Sequence, residues 1–310
     1  MSEVKLTNTP YDDVFRTLLN DCSSLIIPVI NEVFHERYSG KEEVVFSANE
    51  HFMNRQGGNE DERITDSNFK IVGTVTKKYH LECQSNIDSS MLVRLFEYDT
   101  QIALDEGEIK ENVLTVTFPH SAVLYLRCNE STPDKMKIKM VTPGGEVTYD
   151  IPLMKSQQYT LDEIFEKRLL LPFYIFSHEK RFEEYENDET KLKLLQEEYE
   201  LIKNRLEELM NQGEISEYMK CTISDMSNKV LEHIAVKYDS VKKGVQSVMG
   251  GKVLEYEAKT ILNKGREEGR EEGITILVST LKEMNVPIQT ILEKVQEKFN
   301  LSLETAKKYI

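Results

Sequence analysis

RITDSNFKIVGTVTKKYHLECQS, residues 63–85, reads as two extended runs around a tight connection at Gly73-Thr74. The first run carries Asp66 and the second Glu82. An antiparallel hairpin centred near Thr74 pairs residues whose numbers sum to 148, which sets Asp66 opposite Glu82. Cross-strand neighbours of this kind have Cβ atoms about 4.5–5.5 Å apart and share a face. Alternation along the second run sends Tyr79, Leu81 and Cys83 towards a core, and His80, Glu82 and Gln84 the other way, beside Asp66. Two carboxylates that close repel unless a cation lies between them or one is protonated. Their hard oxygens suit Mg²⁺, which takes one or two carboxylates plus water and phosphate. Such an ion can activate water and stabilise a leaving oxygen in phosphodiester hydrolysis. A wet surface hairpin shows the same alternation, so the pattern alone admits both a metal site and a solvated face.

The flanking sequence gives this hairpin its setting. From PYDDVFRTLLND onward, Phe15, Leu18, Leu19, Cys22, Leu25, Ile26, Val29, Ile30, Val33 and Phe34 recur mostly at helical spacing, with Pro10 and Asp12 at the start. Pro28 predicts a break or kink, so one helix or two fit equally. Residues 43–85 read as strands. In DSSMLVRLFEYDTQIALDEGE, Asp88 or Ser89 caps a helix whose stripe is Leu92, Leu95, Phe96, Ile102 and Ala103. VLTVTFPHSAVLYLRC (113–128) reads as a buried strand bent at Pro119, and MKIKMVTPGGEVTYDIPL (136–153) as a hairpin around Pro143-Gly144-Gly145. Helix, strands, helix, strands is the order of an α/β or α+β protein with a mixed sheet.

Beyond residue 160 no strand signal survives. Leu192, Leu195, Tyr199, Ile202, Leu206 and Leu209 form a short heptad seam, open to an intramolecular hairpin or to a coiled-coil homodimer through the C-terminal helices. NKGREEGREEG (263–273) places Gly265, Gly269 and Gly273 on one helical face, as a helical connector or a solvated linker. The last 35 residues read as three short helices, the second starting at Pro287 and the third at Leu301-Ser302: a helix-turn-helix or a small tri-helical unit. The expected organisation is residues 1–175, a helical region at 176–262, and a connector with small helical tail at 263–310.

A formal charge of −15 argues against a wide basic face for indiscriminate nucleic-acid binding. It leaves room for a site where metal ions neutralise carboxylates and so admit phosphate. Lys77, Lys78, Lys135, Lys137 and Lys139 could guide such a backbone, or be solvated strand residues. The 4 cysteines, Cys22, Cys83, Cys128 and Cys221, have no CxxC spacing and read as buried thiols of a reducing compartment. With no apolar leader and no run near the roughly 20 residues that a membrane span needs, the expectation is a soluble, cytoplasmic protein without membrane contact.

An Asp on one strand, Glu-x-Gln on the next, then a helix with Arg and Tyr four apart resembles the PD-(D/E)XK nuclease superfamily, and more closely its recombination-promoting nuclease and transposase branch. The branch's opening Asp-x-x-Phe-Lys-like motif matches Asp12-Asp13-Val14-Phe15-Arg16. Ile64-Thr65-Asp66, Glu82-Cys83-Gln84 and Arg94 to Tyr98 follow in order. The likeness covers residues 10–175 by motif and the glycine-repeat tail by style.

The resemblance implies a restriction-endonuclease-like α/β core, a mixed sheet flanked by helices and followed by an all-helical C-terminal region. It also implies a DNA endonuclease using Mg²⁺, or alternatively Mn²⁺. Asp66 and Glu82 would ligate the metal, with the Cys83 carbonyl as a further ligand. Gln84 stands where the superfamily usually has Lys; it can position water without supplying charge, and glutamine is usual in this branch. Asp12 would be a further acid or a helix N-cap. Arg94 would contact phosphate or pair with Asp99 or Glu97 on its own helix. His80 would contact substrate or be a structural histidine, and Tyr98 would pack with its hydroxyl near the site. A non-cleaving DNA-binding or interaction module on the same fold is the alternative function.

Overall fold

A computed structural model describes residues 10–47, 50–54, 60–64, 67–88, 90–250, 269, 271–284, 286–299 and 306–309. The chain divides into two compact units, Met1–Gly251 and Lys252–Ile310.

In the first unit, α1 (Pro10–Asp21) and α2 (Ile26–Phe34) are separated by a 3-10 turn, Ser23–Leu25. The expected break therefore falls before Pro28, which occupies the first turn of α2, where its missing N–H costs no helical bond. Five strands follow: β1 (Glu43–Phe46), β2 (Glu50–Asn54), β3 (Glu60–Ile64), β4 (Ser67–Val72) and β5 (Lys77–Gln84). Next come α3 (Met91–Asp105), the short β6 (Glu108–Lys110) and β7 (Val113–Thr115), then β8 (His120–Tyr125), β9 (Lys135–Thr142) and β10 (Gly145–Lys155).

The main sheet is six-stranded and mixed, in the order β1-β4-β5-β8-β10-β9. Its centre is parallel, β5 beside β8 and β8 beside β10, and its margins are antiparallel. Helix α3 makes the crossover from β5 to β8, the connection that parallel neighbours require. β9 and β10 form the hairpin expected at Pro143-Gly144, and Gly145, at φ 142°, takes a backbone angle that favours glycine.

The run at 113–128 departs from expectation. Residues 113–115 belong to an exposed two-stranded hairpin with β6, and only His120–Tyr125 enter the sheet centre. Both halves are apolar and β-branched, so composition alone does not separate them.

One face of the sheet presents Phe69, Ile71, Tyr79, Leu81, Cys83 and Leu124 to α1 and α2. The same core continues into α4 (Leu161–Lys167), a 3-10 segment at Leu171–Arg181, α5 (Phe182–Asn187), α6 (Glu189–Asn211), α7 (Glu217–Ile234) and α8 (Asp239–Met249). The apolar run at 169–176 is buried as this 3-10 segment. No packing break appears at residue 175: Tyr11 of α1 meets Phe176 and His233 edge-on, each at 5.1 Å, and Lys229 of α7 pairs with Asp13. The heptad seam is likewise internal. Leu195, Tyr199, Ile202 and Leu206 are buried, and Leu192 and Leu209 pack on the same core, so this seam is not a free dimer surface. An apolar stripe on a helix looks the same whether its own chain or another covers it.

The other face presents Val123, Tyr125, Ile138 and Ile151 to Met91 and Leu95 of α3. Of the expected α3 stripe, Leu95, Ile102 and Ala103 are buried, Leu92 is half-buried and Phe96 is exposed, stacked on Phe118. Ser90, not Asp88, occupies the N-cap position, while Asp88 accepts from the Ser90 N–H and hydroxyl; Ser89 lies outside the described residues.

The second unit has its own small core. Ile274 and Val278 of α9 (residues 271–283) meet Ile291, Leu292 and Val295 of α10 (Ile288–Phe299), with Ala306. As expected, the second of these helices begins beside Pro287. Gly265 and Leu301-Ser302 lie outside the described residues. Cys22, Cys83 and Cys221 are buried and Cys128 is half-buried, all four outside any disulfide among the described residues. No helix among the described residues is long and apolar enough to cross a membrane.

Candidate active site

β4 and β5 pair with the register the sequence predicts. Ser67 faces Leu81, Asn68 faces His80 and Phe69 faces Tyr79, each pair summing to 148. Asp66, the next residue of that series, lies outside the described residues. The alternation along β5 also holds: Tyr79, Leu81 and Cys83 enter the apolar core, and His80 and Glu82 face α3. On the other side β5 pairs with β8, His80 opposite Ser121 and Glu82 opposite Val123. Strand-to-strand bonding on both flanks fixes the backbone that carries Glu82.

Glu82 is 1% exposed and joins a buried polar network. Its Oε1 is 3.0 Å from His80 Nε2, and His80 Nδ1 is 2.7 Å from Asp99 Oδ1. The Ser121 hydroxyl donates to that same Asp99 oxygen at 2.7 Å. Glu82 Oε2 is 3.4 Å from an Arg94 Nη2, and the other arm of the guanidinium reaches Asp88 at 3.3 Å. Burial alone would push the His80 imidazole down. The hydrogen bonds and charges of Asp99 and Glu82 outweigh it and raise the group to about 10. The His80 imidazolium lies between two acidic side chains, the kind of partner a buried charge needs, since an unpaired one inside the fold would be very costly.

The structure thus brings together Glu82, His80 and Arg94 of the expected residues and adds three more: Asp99, Ser121 and Asp88. Arg94 pairs with Glu82 and Asp88, not with its helix neighbour Asp99, which is taken by His80 and Ser121. Of the two readings of His80, substrate contact or structural histidine, its full burial and its bonds at both ring nitrogens fit the structural one, a positioning residue for Glu82. Tyr98 is also buried, its ring edge-on to His80 at 5.9 Å and 6.0 Å from the Arg94 guanidinium. It packs, as expected, beside the site. The Cys83 thiol points into the apolar core, which leaves its carbonyl as the group the resemblance assigns. Gln84 ends β5, half-buried, with its carbonyl accepting from the Leu126 N–H at 2.9 Å. Asp12 lies within the first turn of α1, not at an N-cap, and α1 covers the sheet face opposite Glu82.

Asp99 carried a faint signal. It stands between Leu95 and Ile102 at i, i+4, i+7 spacing, a charged residue on the buried stripe of α3. Ser121 interrupts an otherwise apolar β8 in the same way. All five lysines considered as phosphate guides are in ion pairs: Lys77 with Glu36, Lys78 with Glu106, Lys135 and Lys137 with Asp150, and Lys139 with Glu146.

Glu82 is where a divalent cation can be tested against this site. A positive group, Arg94, already stands at Oε2, while His80 holds the other oxygen. Exchanging the guanidinium contact for a metal would leave the His80 bond in place, and a carboxylate oxygen is a suitable ligand for Mg²⁺. Glu82 therefore fits the part of a single ligand. Among the described residues no three His, Cys, Asp or Glu side chains gather to hold a metal ion. No family model matches the chain, and no curated protein or solved structure matches it.

Proposed function

We propose that this chain is a restriction-endonuclease-like, Mg²⁺-dependent DNA endonuclease that hydrolyses phosphodiester bonds in recombination or mobile-element processes. The observation that supports it best is Glu82, fixed by His80 on a central strand with the Arg94 guanidinium beside it. The ordered motif resemblance supplies the chemistry.

In this reading Asp66 and Glu82 hold the cation, with Mn²⁺ as an alternative and the Cys83 carbonyl as a further oxygen donor, while Asp12, on the helix that covers the opposite face, takes no part. The ion, when bound, supplies Lewis acidity and a more acidic water. His80 keeps Glu82 Oε1 in one orientation, and Asp99 and Ser121 keep His80 in place. Arg94, 25% exposed at its side chain, turns from Glu82 to a phosphate oxygen, for which its planar fork is suited. Gln84 orients the attacking water without adding charge. The test is cleavage of supercoiled and linear DNA with Mg²⁺, Mn²⁺ or EDTA. Metal-dependent nicking is expected in the wild type and its loss in both Asp66→Ala and Glu82→Ala. Equal nicking by all three proteins would reject the assignment.

The near-complete burial of Glu82, with cations at both oxygens, favours a second reading: a non-cleaving DNA-binding or interaction module in which the network is purely structural. DNA retention that survives both EDTA and Asp66→Ala, without any nicking, would select it.

A further inference from the structure

Between β8 and β10 the sheet forks. Their pairing runs from Leu153 opposite Val123 to Lys155 opposite Tyr125. Upstream, His120–Ala122 pair with β5 and Gly145–Pro152 with β9. Pro152, which has no N–H to offer a neighbour, stands at the fork.

The fork holds a slot of about 370 Å³, within the range of small-molecule sites. Its walls are the rings of Phe34, Phe118, His120 and Tyr149, with Met140 beside them. Phe118 lies 6.3 Å from Tyr149, and Phe34 lies 5.9 Å from His120. One polar group in this lining is unmet: the Tyr149 hydroxyl is buried without a hydrogen-bond partner among the described residues. A second unmet atom, Asp99 Oδ2, belongs to the carboxylate bonded by Ser121, itself a lining residue. Burial, and then the Asp99 charge, push the Tyr149 phenol up to about 12, so its hydroxyl remains a donor at neutral pH. A buried donor without an acceptor is destabilising, and an occupant carrying an acceptor would relieve it.

We infer that this slot binds a planar nitrogen heterocycle of the nucleobase type, its ring between the aromatic walls and a ring nitrogen accepting from the Tyr149 hydroxyl. The aromatic lining rewards π-stacking of a flat ring. An aliphatic guest would leave the hydroxyl unmet. The two parted strand edges add backbone donors and acceptors for the heterocycle's rim. This site is independent of the cleavage reading, and its test needs no metal.

The experiment uses the full chain with ¹³C-methyl methionine, in EDTA, titrated with adenosine and separately with toluene. Saturable movement of the Met140 methyl signal is expected with adenosine. Tyr149→Phe, which keeps the ring and removes the hydroxyl, should weaken adenosine at least tenfold. Val147→Trp, placed at a 60% exposed lining position, should fill the slot and abolish the shift. A Met140 signal unmoved at millimolar adenosine would overturn the inference. So would adenosine affinity unchanged in Tyr149→Phe, or toluene binding as tightly as adenosine.

Discussion

Asp99→Ala leaves the His80 imidazolium with one carboxylate instead of two, in a site closed to water. Breaking a buried charge pair from one side costs about 3–5 kcal/mol, so urea unfolding should show a loss of that size. Asp99→Asn keeps an acceptor for His80 and Ser121 and should lose less. Equal losses would mean that shape, not charge, matters at this position. His178 offers a separate residue-scale prediction. It is buried, accepts at Nδ1 from Arg181 at 2.8 Å, and is held down to about 4 by burial and then by the Arg181 charge. In the unfolded chain the same imidazole titrates near its ordinary value of about 6.5. Between those values the unfolded state binds more protons. The stabilisation is therefore complete above about pH 6.5 and is lost as pH falls towards 4, by up to about 3 kcal/mol. Urea midpoints at pH 7 and pH 5 should show the decline, and His178→Gln should flatten it.

Among the elements, α4 carries a complete capping box. The Thr160 hydroxyl accepts from the Glu163 N–H, and the Glu163 carboxylate accepts from the Thr160 N–H at 2.8 Å. Thr160→Ala should cost about 1 kcal/mol in urea unfolding. Gly244 sets the contact of α8 with α6: a Cβ there would stand 3.0 Å from Leu192 Cδ1. Gly244→Val should cost about 1–3 kcal/mol through overpacking, read from the thermal midpoint; an unchanged midpoint would mean α6 shifts freely. At this scale the sequence was most legible where alternation and turn chemistry coincide. The β4–β5 and β9–β10 hairpins followed from their own residues because strand period and Gly-containing turns are local. Val113–Thr115 and Phe96 were misjudged because an apolar side chain does not state what, if anything, covers it. The polar face of β5 was visible for the same local reason. The closing of its network by Asp99 and Ser121 was not, since contacts between elements leave no periodic mark.

Within the first unit, the main core joins α1 and α2 to α4–α8 across one face of the sheet, so this unit should unfold as one cooperative body. A chain ending at Gly250 is expected to keep the near-UV circular dichroism of that unit. A chain ending at residue 175 should lose it, because α7 no longer covers α1 and the 3-10 segment is itself cut. Cooperative unfolding by the shorter chain would restore a domain boundary near 175.

The pairing of α1 with α7 also has a temporal side. Asp13 and Lys229, partners in the fold, are 216 positions apart in the chain. At roughly 5–20 residues per second on a ribosome, α1 waits about 10–40 s for the helix that shields it. Tyr11, Phe15 and Leu19 pass that interval without their final cover. The newborn chain is therefore expected to be a chaperone client until α7 emerges, and translation slowed before Lys229 should lower the yield of folded protein.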